Sequence, residues 1–217
     1  MYGIFGILND KNVTSTLLQG LQRLENGGYD AISVATVADG RIQWQEAKDL
    51  HSLLPELFTG GRFGIAYTSK ACQSESEVQY ARFYATEHLA IVHNGVIENN
   101  HELREELMSL GYEFESKTDS ELILRLLGRY LDIGLSPKEA ISVTIMRLHG
   151  FFAMIALFAG EEDQLIAARR GNPLAIGLGE EALYVSSDAN TLEPLSRQVM
   201  QLEEGSPAVL SSVKTCQ

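Results

Sequence analysis

Few residues in this chain could make or break a bond. Two are thiols, Cys72 and Cys216. A thiol attacks as the thiolate and needs a base beside it. The pair offers neither a disulfide framework nor a metal-ligand set, and Cys72 sits in the irregular polar stretch "SKACQSESEVQ". His88, His101 and His149 show no ligand spacing and no triad context, so surface or core positions are expected for them. His93 precedes Asn94 and Gly95; taken alone, that is an ordinary Asn-Gly turn beside a structural histidine. Asp119, in "KTDSE", suits the first turn of a helix, where the macrodipole favours negative charge. Arg169-Arg170 reads as a turn pair. The chain opens "MYGIFGILND", which places a bulky phenol, Tyr2, at the head of a strand. With an ordinary pKa of about 10, that phenol is a poor nucleophile, and a packing or plugging role is expected. Neither a metal site nor a cofactor is expected.

The elements that must carry these residues are legible in the apolar pattern. Gly3 to Leu8 reads as a strand. Asn12 caps a helix striped by Val13, Leu17, Leu18, Leu21 and Leu24, ended by Gly27-Gly28. "AISVATV" and "RIQWQEA" flank Asp39-Gly40, a hairpin signal. A helix, bent at Pro55, is expected from Asp49 to Phe58. "RFGIAYT" is another strand, and "YARFYATEHLAIVHNG" reads as two strands around a tight turn. Three helices follow: "ENNHELREELMSLG" with Asn99 and Glu102 as a capping box and Gly111 as its stop, "TDSELILRLLGRYLDIG" with Thr118 and Glu121, and "SPKEAISVTIMRLHG" with Ser136, Pro137 and Glu139. Short strands close the chain at "FFAMIALFAG", "QLIAARRG", "LAIGLG", "ALYVSS" and "AVLSSV", with a brief helix in "DANTLEPLSR". Helices and strands come in blocks, which predicts an α+β fold with antiparallel sheet. No linker, repeat or low-complexity tract breaks the chain, so one domain over 1–217 is expected.

Composition narrows the partners. With 17 basic residues against 29 acidic ones, the formal charge is −12. That charge repels phosphate backbones and anionic lipid, so nucleic acid and membrane surfaces are not expected as partners. No apolar run reaches the roughly 18 residues of a bilayer span, and Phe151 to Ala159 fits a buried strand. No signal peptide is read at the start; a cytoplasmic location is expected.

Five stretches occur in an order that points to a known family: "YGIFGIL", "LQRLENGGYDA", "IVHNGVIENNHELREELMSLGYEFESKTDSE", "IAARRGNPLAIGLGEEALYVSSD" and "LEEG". Together they resemble the glutaminase domain of glucosamine-6-phosphate synthase, a class II glutamine amidotransferase domain with an N-terminal-nucleophile hydrolase fold. The resemblance runs from Gly3 to about Leu210. It implies a four-layer αββα sandwich with two antiparallel sheets face to face. In that family, ammonia released from glutamine passes to a sugar-isomerase half; this chain stops where that half would begin.

The resemblance also implies roles. The family's nucleophile is an N-terminal cysteine whose thiol attacks and whose free α-amine serves as base. Tyr2 stands in that slot, and a residue so large favours retention of Met1. Asn94 and Gly95 match the oxyanion donors. Asp119 matches the acid that receives the glutamine α-ammonium group. The family's "TRWATHG" loop, whose arginine clamps the α-carboxylate, is "TSKACQS" here: Thr68 is kept, Ser69 replaces the arginine, Lys70 the tryptophan, Cys72 a threonine and Gln73 a histidine. Gly27 stands where the family has an arginine, and its "HPH" has become "ARFY". A serine cannot make the bidentate guanidinium contact. Three readings follow. The first is a degenerate glutaminase domain, inactive toward glutamine and kept as a binding or regulatory module. The second is an amidotransferase subunit working with a separate sugar-isomerase or synthase chain. In the third, Thr68, Ser69, Lys70, Gln73 and Asp119 line a pocket for another small, amino-acid-like polar ligand. A thiol at Cys72 standing in for the lost nucleophile is a further alternative, without the amine base.

Overall fold

The computed structural model describes residues 2–24, 31–53, 61–69, 83–160 and 163–211. The first strand, β1 (Tyr2–Asn9), leads into helix α1 (Thr14–Leu24), which Asn12 caps by accepting the Thr14 N–H at 2.8 Å. β2 (Ala31–Ala38) and β3 (Arg41–Ala47) form the expected hairpin, with Asp39 and Gly40 both at positive φ, 53° and 71°. β4 (Phe63–Ser69), β5 (Tyr84–Ala85) and β6 (Leu89–Ile97) follow. Next come α2 (Asn100–Ser109), α3 (Asp119–Asp132) and α4 (Pro137–Arg147). β7 (Gly150–Phe158), β8 (Gln164–Arg170), β9 (Ala175–Leu178), β10 (Ala182–Ser186), α5 (Ala189–Leu192), β11 (Gln198–Gln201) and β12 (Ala208–Leu210) complete the order.

The strands form two antiparallel sheets. One runs β11-β9-β10-β1-β4-β2-β3 and the other β12-β8-β7-β6-β5. Period-2 alternation explains their faces. On β1, Ile4 and Leu8 enter the core between the sheets, together with Ala90 and Val92 of β6 and Ile155 of β7. Phe5 and Ile7 turn the other way, onto α1 and α5. Leu89 and Ile91 of β6 turn toward α2, α3 and α4. The layers are therefore helix, sheet, sheet, helix, as the resemblance implied. Close approach needs small residues: a β-carbon at Gly64 would lie 2.4 Å from the Leu17 side chain of α1.

Several expectations change. Over residues 49–53, the described part of the helix expected from Asp49 to Phe58, there is a 3-10 turn, Leu50–Ser52, after which Leu53 is extended. Asp49 accepts the Ser52 N–H at 2.8 Å, which satisfies the turn locally. Residues 54–60 lie outside the described part. Asn99 does not cap α2 with its side chain. Its amide instead joins the α4–β7 connection, accepting the His149 N–H and donating to the Arg147 carbonyl, each at 2.9 Å. Those partners satisfy both ends of the amide, which a cap would not. Thr118 caps α3, but Glu121 does not return the bond. Its carboxylate accepts from the N–H groups of Glu115 and Ser116, at 2.8 and 2.7 Å. Ser136 and Glu139 form the full capping box. Arg169 and Arg170 end strand β8 and are not in a turn. Each guanidinium binds main-chain carbonyls, Arg169 that of Leu202 and Arg170 those of Leu148 and Ile145. β11 was not foreseen, because "QVMQ" carries little alternation.

Candidate active site

The register brings the head of β1 against β4: Tyr2 pairs with Ser69 and Gly3 with Thr68, while Ser69 also pairs with Ala31 of β2. On β1, Ile4 and Leu8 belong to the surface that faces the second sheet. Thr68 lies on the opposite surface. A β-carbon at Gly3 would meet Thr68 Oγ1 at 2.8 Å and Leu24 Cδ1 at 3.1 Å, so the Thr68 hydroxyl packs under α1. Thr68 is 4% exposed. Of the suggested ligand contacts, Gln73, Lys70 and Cys72, with Gly27, Ala81 and Arg82, fall outside the described residues.

On the second sheet, β6 carries Asn94 and Gly95. Asn94 has the parity of Ala90 and Val92, which face the first sheet; His93 turns toward the helices and is fully buried. The backbone alternates as well. Ala159 donates to the His88 carbonyl and Glu98 to the His149 carbonyl, each at 2.9 Å. With β6 and β7 in continuous register, even-numbered β6 residues are therefore the ones that exchange bonds with β7. Odd-numbered ones face the other edge, where Thr86 donates to the Leu89 carbonyl at 2.7 Å. Among the described residues, β5 accompanies β6 as far as the Tyr84–Ile91 pair. Farther along that same edge, the Ile97 N–H is taken by Asp119 Oδ2 at 2.9 Å.

Gly95 departs from regular strand, with φ 137°. A β-carbon there would sit 2.0 Å from the Phe151 carbonyl oxygen and 2.9 Å from Asn172 Nδ2. Only glycine fits. Asn172 Nδ2 donates to the Asn94 carbonyl at 3.0 Å.

Asp119 opens α3 and is 2% exposed. Besides the Ile97 N–H, its carboxylate accepts from the Asn100 amide. Burial pushes its pKa above the ordinary carboxylate value, against the opposing pull of the Ile97 N–H, the Asn100 amide and the Arg104 charge. Arg104 orders the surroundings: Nε donates to Asn100 Oδ1 at 3.2 Å, Nη1 to the Ser116 carbonyl at 2.8 Å and Nη2 to the Thr118 carbonyl at 3.0 Å. Its guanidinium also lies over the Phe114 ring, 4.0 Å from the centroid. Burial opposes the Glu121 charge, yet the donors at Glu115 and Ser116 outweigh it and hold that carboxyl below its usual range. Asp119 therefore does more than meet a helix dipole: it ties the start of α3 to the edge of β6. Asn172, Asn100 and Arg104 were not foreseen. Asn100 and Arg104 have helical i, i+4 spacing, which a reader could have used; Asn172 lies 78 positions from its partner, and no local pattern joins them. Among the described residues, no group of His, Cys, Asp and Glu could hold a metal ion, and no helix is long and apolar enough to cross a membrane.

A family model described as "Glutamine amidotransferase domain" matches residues 68–194. The glutamine–fructose-6-phosphate aminotransferase [isomerizing] of Bartonella henselae is 44% identical over 215 residues, covering 97% of this chain. The protein of the same name from Zymomonas mobilis is 39% identical over the same length. The chain spans 35% of the length of each. Among solved structures, the glutamine phosphoribosylpyrophosphate amidotransferase of B. subtilis superposes with a TM-score of 0.78 at 22% identity, over 96% of this chain and 47% of that one. A glutamine aminotransferase class-II domain protein from Silicibacter pomeroyi gives 0.59 at 14% identity, over 96% and 98%. Two facing antiparallel sheets, the shared architecture and a family match over more than half the residues lead to one assignment: this chain belongs to the glutamine amidotransferase domain family.

Proposed function

We propose that this chain is a class II glutaminase-type domain, of the glucosamine-6-phosphate synthase kind, that does not hydrolyse glutamine and acts as a binding or regulatory module. The observation that carries the reading is Tyr2 at the head of β1, paired with Ser69 of β4. The family's chemistry needs a thiol and a free α-amine on one residue there. A phenol with a pKa of about 10 replaces the thiol, and Met1, where it is retained, would cover the amine. Ser69 gives no guanidinium fork for an α-carboxylate. Asn94 and Gly95 remain as donors to a carbonyl oxygen, and Asp119 as the acid for an ammonium group. Donors without an attacker keep little of the rate, with losses on the order of a million-fold when the nucleophile is removed. The ligand class is a small polar molecule with an amine and a carbonyl oxygen, amino-acid-like in character.

Incubating the pure protein with glutamine is expected to yield ammonia only at background; release at a rate typical of the family would overturn the proposal. Tyr2→Cys should let Met1 be removed, visible as a mass loss, yet leave ammonia at background because the clamp is also gone. A second reading starts from the similarity to the named glutamine–fructose-6-phosphate aminotransferases. In it, the domain works with a separate sugar-isomerase or synthase chain. Affinity capture from the native cell extract would recover such a chain; failure to recover one would count against it.

A further inference from the structure

The peptide joining Asn94 to Gly95 carries a carbonyl on one side and the Gly95 N–H on the other. In a planar trans peptide the two point in opposite directions, so whatever fixes the carbonyl also aims the N–H. That carbonyl accepts from Asn172 Nδ2 at 3.0 Å. A carbonyl can only accept, so the amide end that faces it is the NH2. Gly95 makes room for this contact, since a β-carbon would lie 2.9 Å from the same nitrogen.

Asn172 is itself braced. Its N–H reaches the Arg170 carbonyl at 2.9 Å, and its carbonyl accepts from Arg169 Nη1 at 3.0 Å. Arg169 Nε donates to the Leu202 carbonyl at 2.6 Å, and Nη1 pairs with Glu204 at 3.2 Å. Glu204 also accepts the Gly171 N–H at 3.2 Å. Both "RRGNP" and "LEEG" are thereby connected to "HNG", three stretches far apart in sequence.

We propose that Asn172 is a positioning residue: its bond to the Asn94 carbonyl sets the plane of the Asn94–Gly95 peptide and aims the Gly95 N–H at a ligand oxygen. The ligand half of this rests on reading Asn94 and Gly95 as oxygen donors; the peptide-plane half does not.

The test uses protein labelled with 13C-carbonyl asparagine and 15N-glycine. The sequence has two Asn-Gly pairs, Asn26-Gly27 and Asn94-Gly95. An HNCO spectrum therefore gives one reporting cross-peak and one internal control. In Asn172→Ala, and in the isosteric non-donor Asn172→Asp, the Asn94–Gly95 peak is expected to move in both dimensions while the control holds still. In the unaltered chain, prepared with asparagine labelled at both the 13C-carbonyl and 15Nδ2 positions, a trans-hydrogen-bond coupling should link Asn172 Nδ2 to the Asn94 carbonyl carbon. Absence of that coupling, or an unmoved peak in a folded variant, overturns the assignment. Titration with L-glutamine should shift the wild-type peak, and Asn172→Asp should weaken the response by roughly tenfold, about the net worth of one hydrogen bond. A wild-type peak that ignores saturating L-glutamine overturns the oxygen-donor reading alone, because the coupling and the variant spectra judge the peptide plane separately.

Discussion

Gly95 is held at φ 137° with the Phe151 carbonyl 2.0 Å from where a β-carbon would stand. Strain of this kind costs about 1–3 kcal/mol before any clash is counted. Gly95→Ala should therefore lower stability by about 3 kcal/mol or more, read as a fall in the denaturant midpoint; a midpoint near wild type would mean that β6 bends to accommodate the methyl. The "HNG" stretch was legible in the sequence because its three residues are contiguous and sit in a long matching segment. Its support was not. Asn172 lies in a turn after a different strand, and Asn-Pro in a turn has an ordinary local explanation. Thr68 was legible as a retained residue, but its side was hidden. Strand parity places its hydroxyl under α1, away from the second sheet.

The first turn of helix α3 holds two carboxylates whose pH responses run in opposite directions, Asp119 bound to the edge of β6 and Glu121 to the loop before the helix. Burial raises the Asp119 pKa, so the folded state holds that proton more tightly than the unfolded chain. Its favourable contribution is complete below the ordinary value of 3.8 and is lost as pH rises through the raised one. Glu121 is lowered, so its contribution is present above 4.5 and is lost as pH falls through the depressed value. Denaturation of the variants across this acid range should separate them. The stability gap between wild type and Asp119→Asn should widen toward acid, and that between wild type and Glu121→Gln should shrink. Parallel curves would remove the assigned environments. Asn99 gives a second test among the elements. Because its amide ties α2 to the turn before β7 and does not cap the helix, Asn99→Ala should cost about 1–3 kcal/mol by leaving main-chain groups without their partner. Helix content by circular dichroism should stay unchanged; a loss of helix would restore the capping reading. Most helices and strands were legible from period and punctuation. The failures share a cause: Asn99 and Glu121 satisfy long-range or loop partners, and the three-residue signal of a capping box does not reveal that competition.

At the scale of the whole molecule, the stack of four layers depends on small residues where α1 meets the first sheet. Gly64 lets Leu17 approach, and Gly20 lets Phe5 approach, with a β-carbon at Gly20 falling 2.6 Å from the Phe5 ring. Gly64→Val should wedge α1 from the sheet and cost about 1–3 kcal/mol by overpacking, seen as a lower melting midpoint; no change would mean that the helix slides freely. The α+β class was legible from blocks of elements, but layer order was not, since pairing β1 with β10 joins residues almost a whole chain apart. Peptide N–H groups belong to every residue type except proline. An edge built from them, like that of β6 where Asp119 takes the Ile97 N–H, is indifferent to which side chains come and go around it. On the proposed reading, trading sulfur for a ring, or a cation for a hydroxyl, would silence a reaction without repainting that edge. A scaffold of this kind can fall chemically mute in steps and still keep a polar berth for visiting molecules.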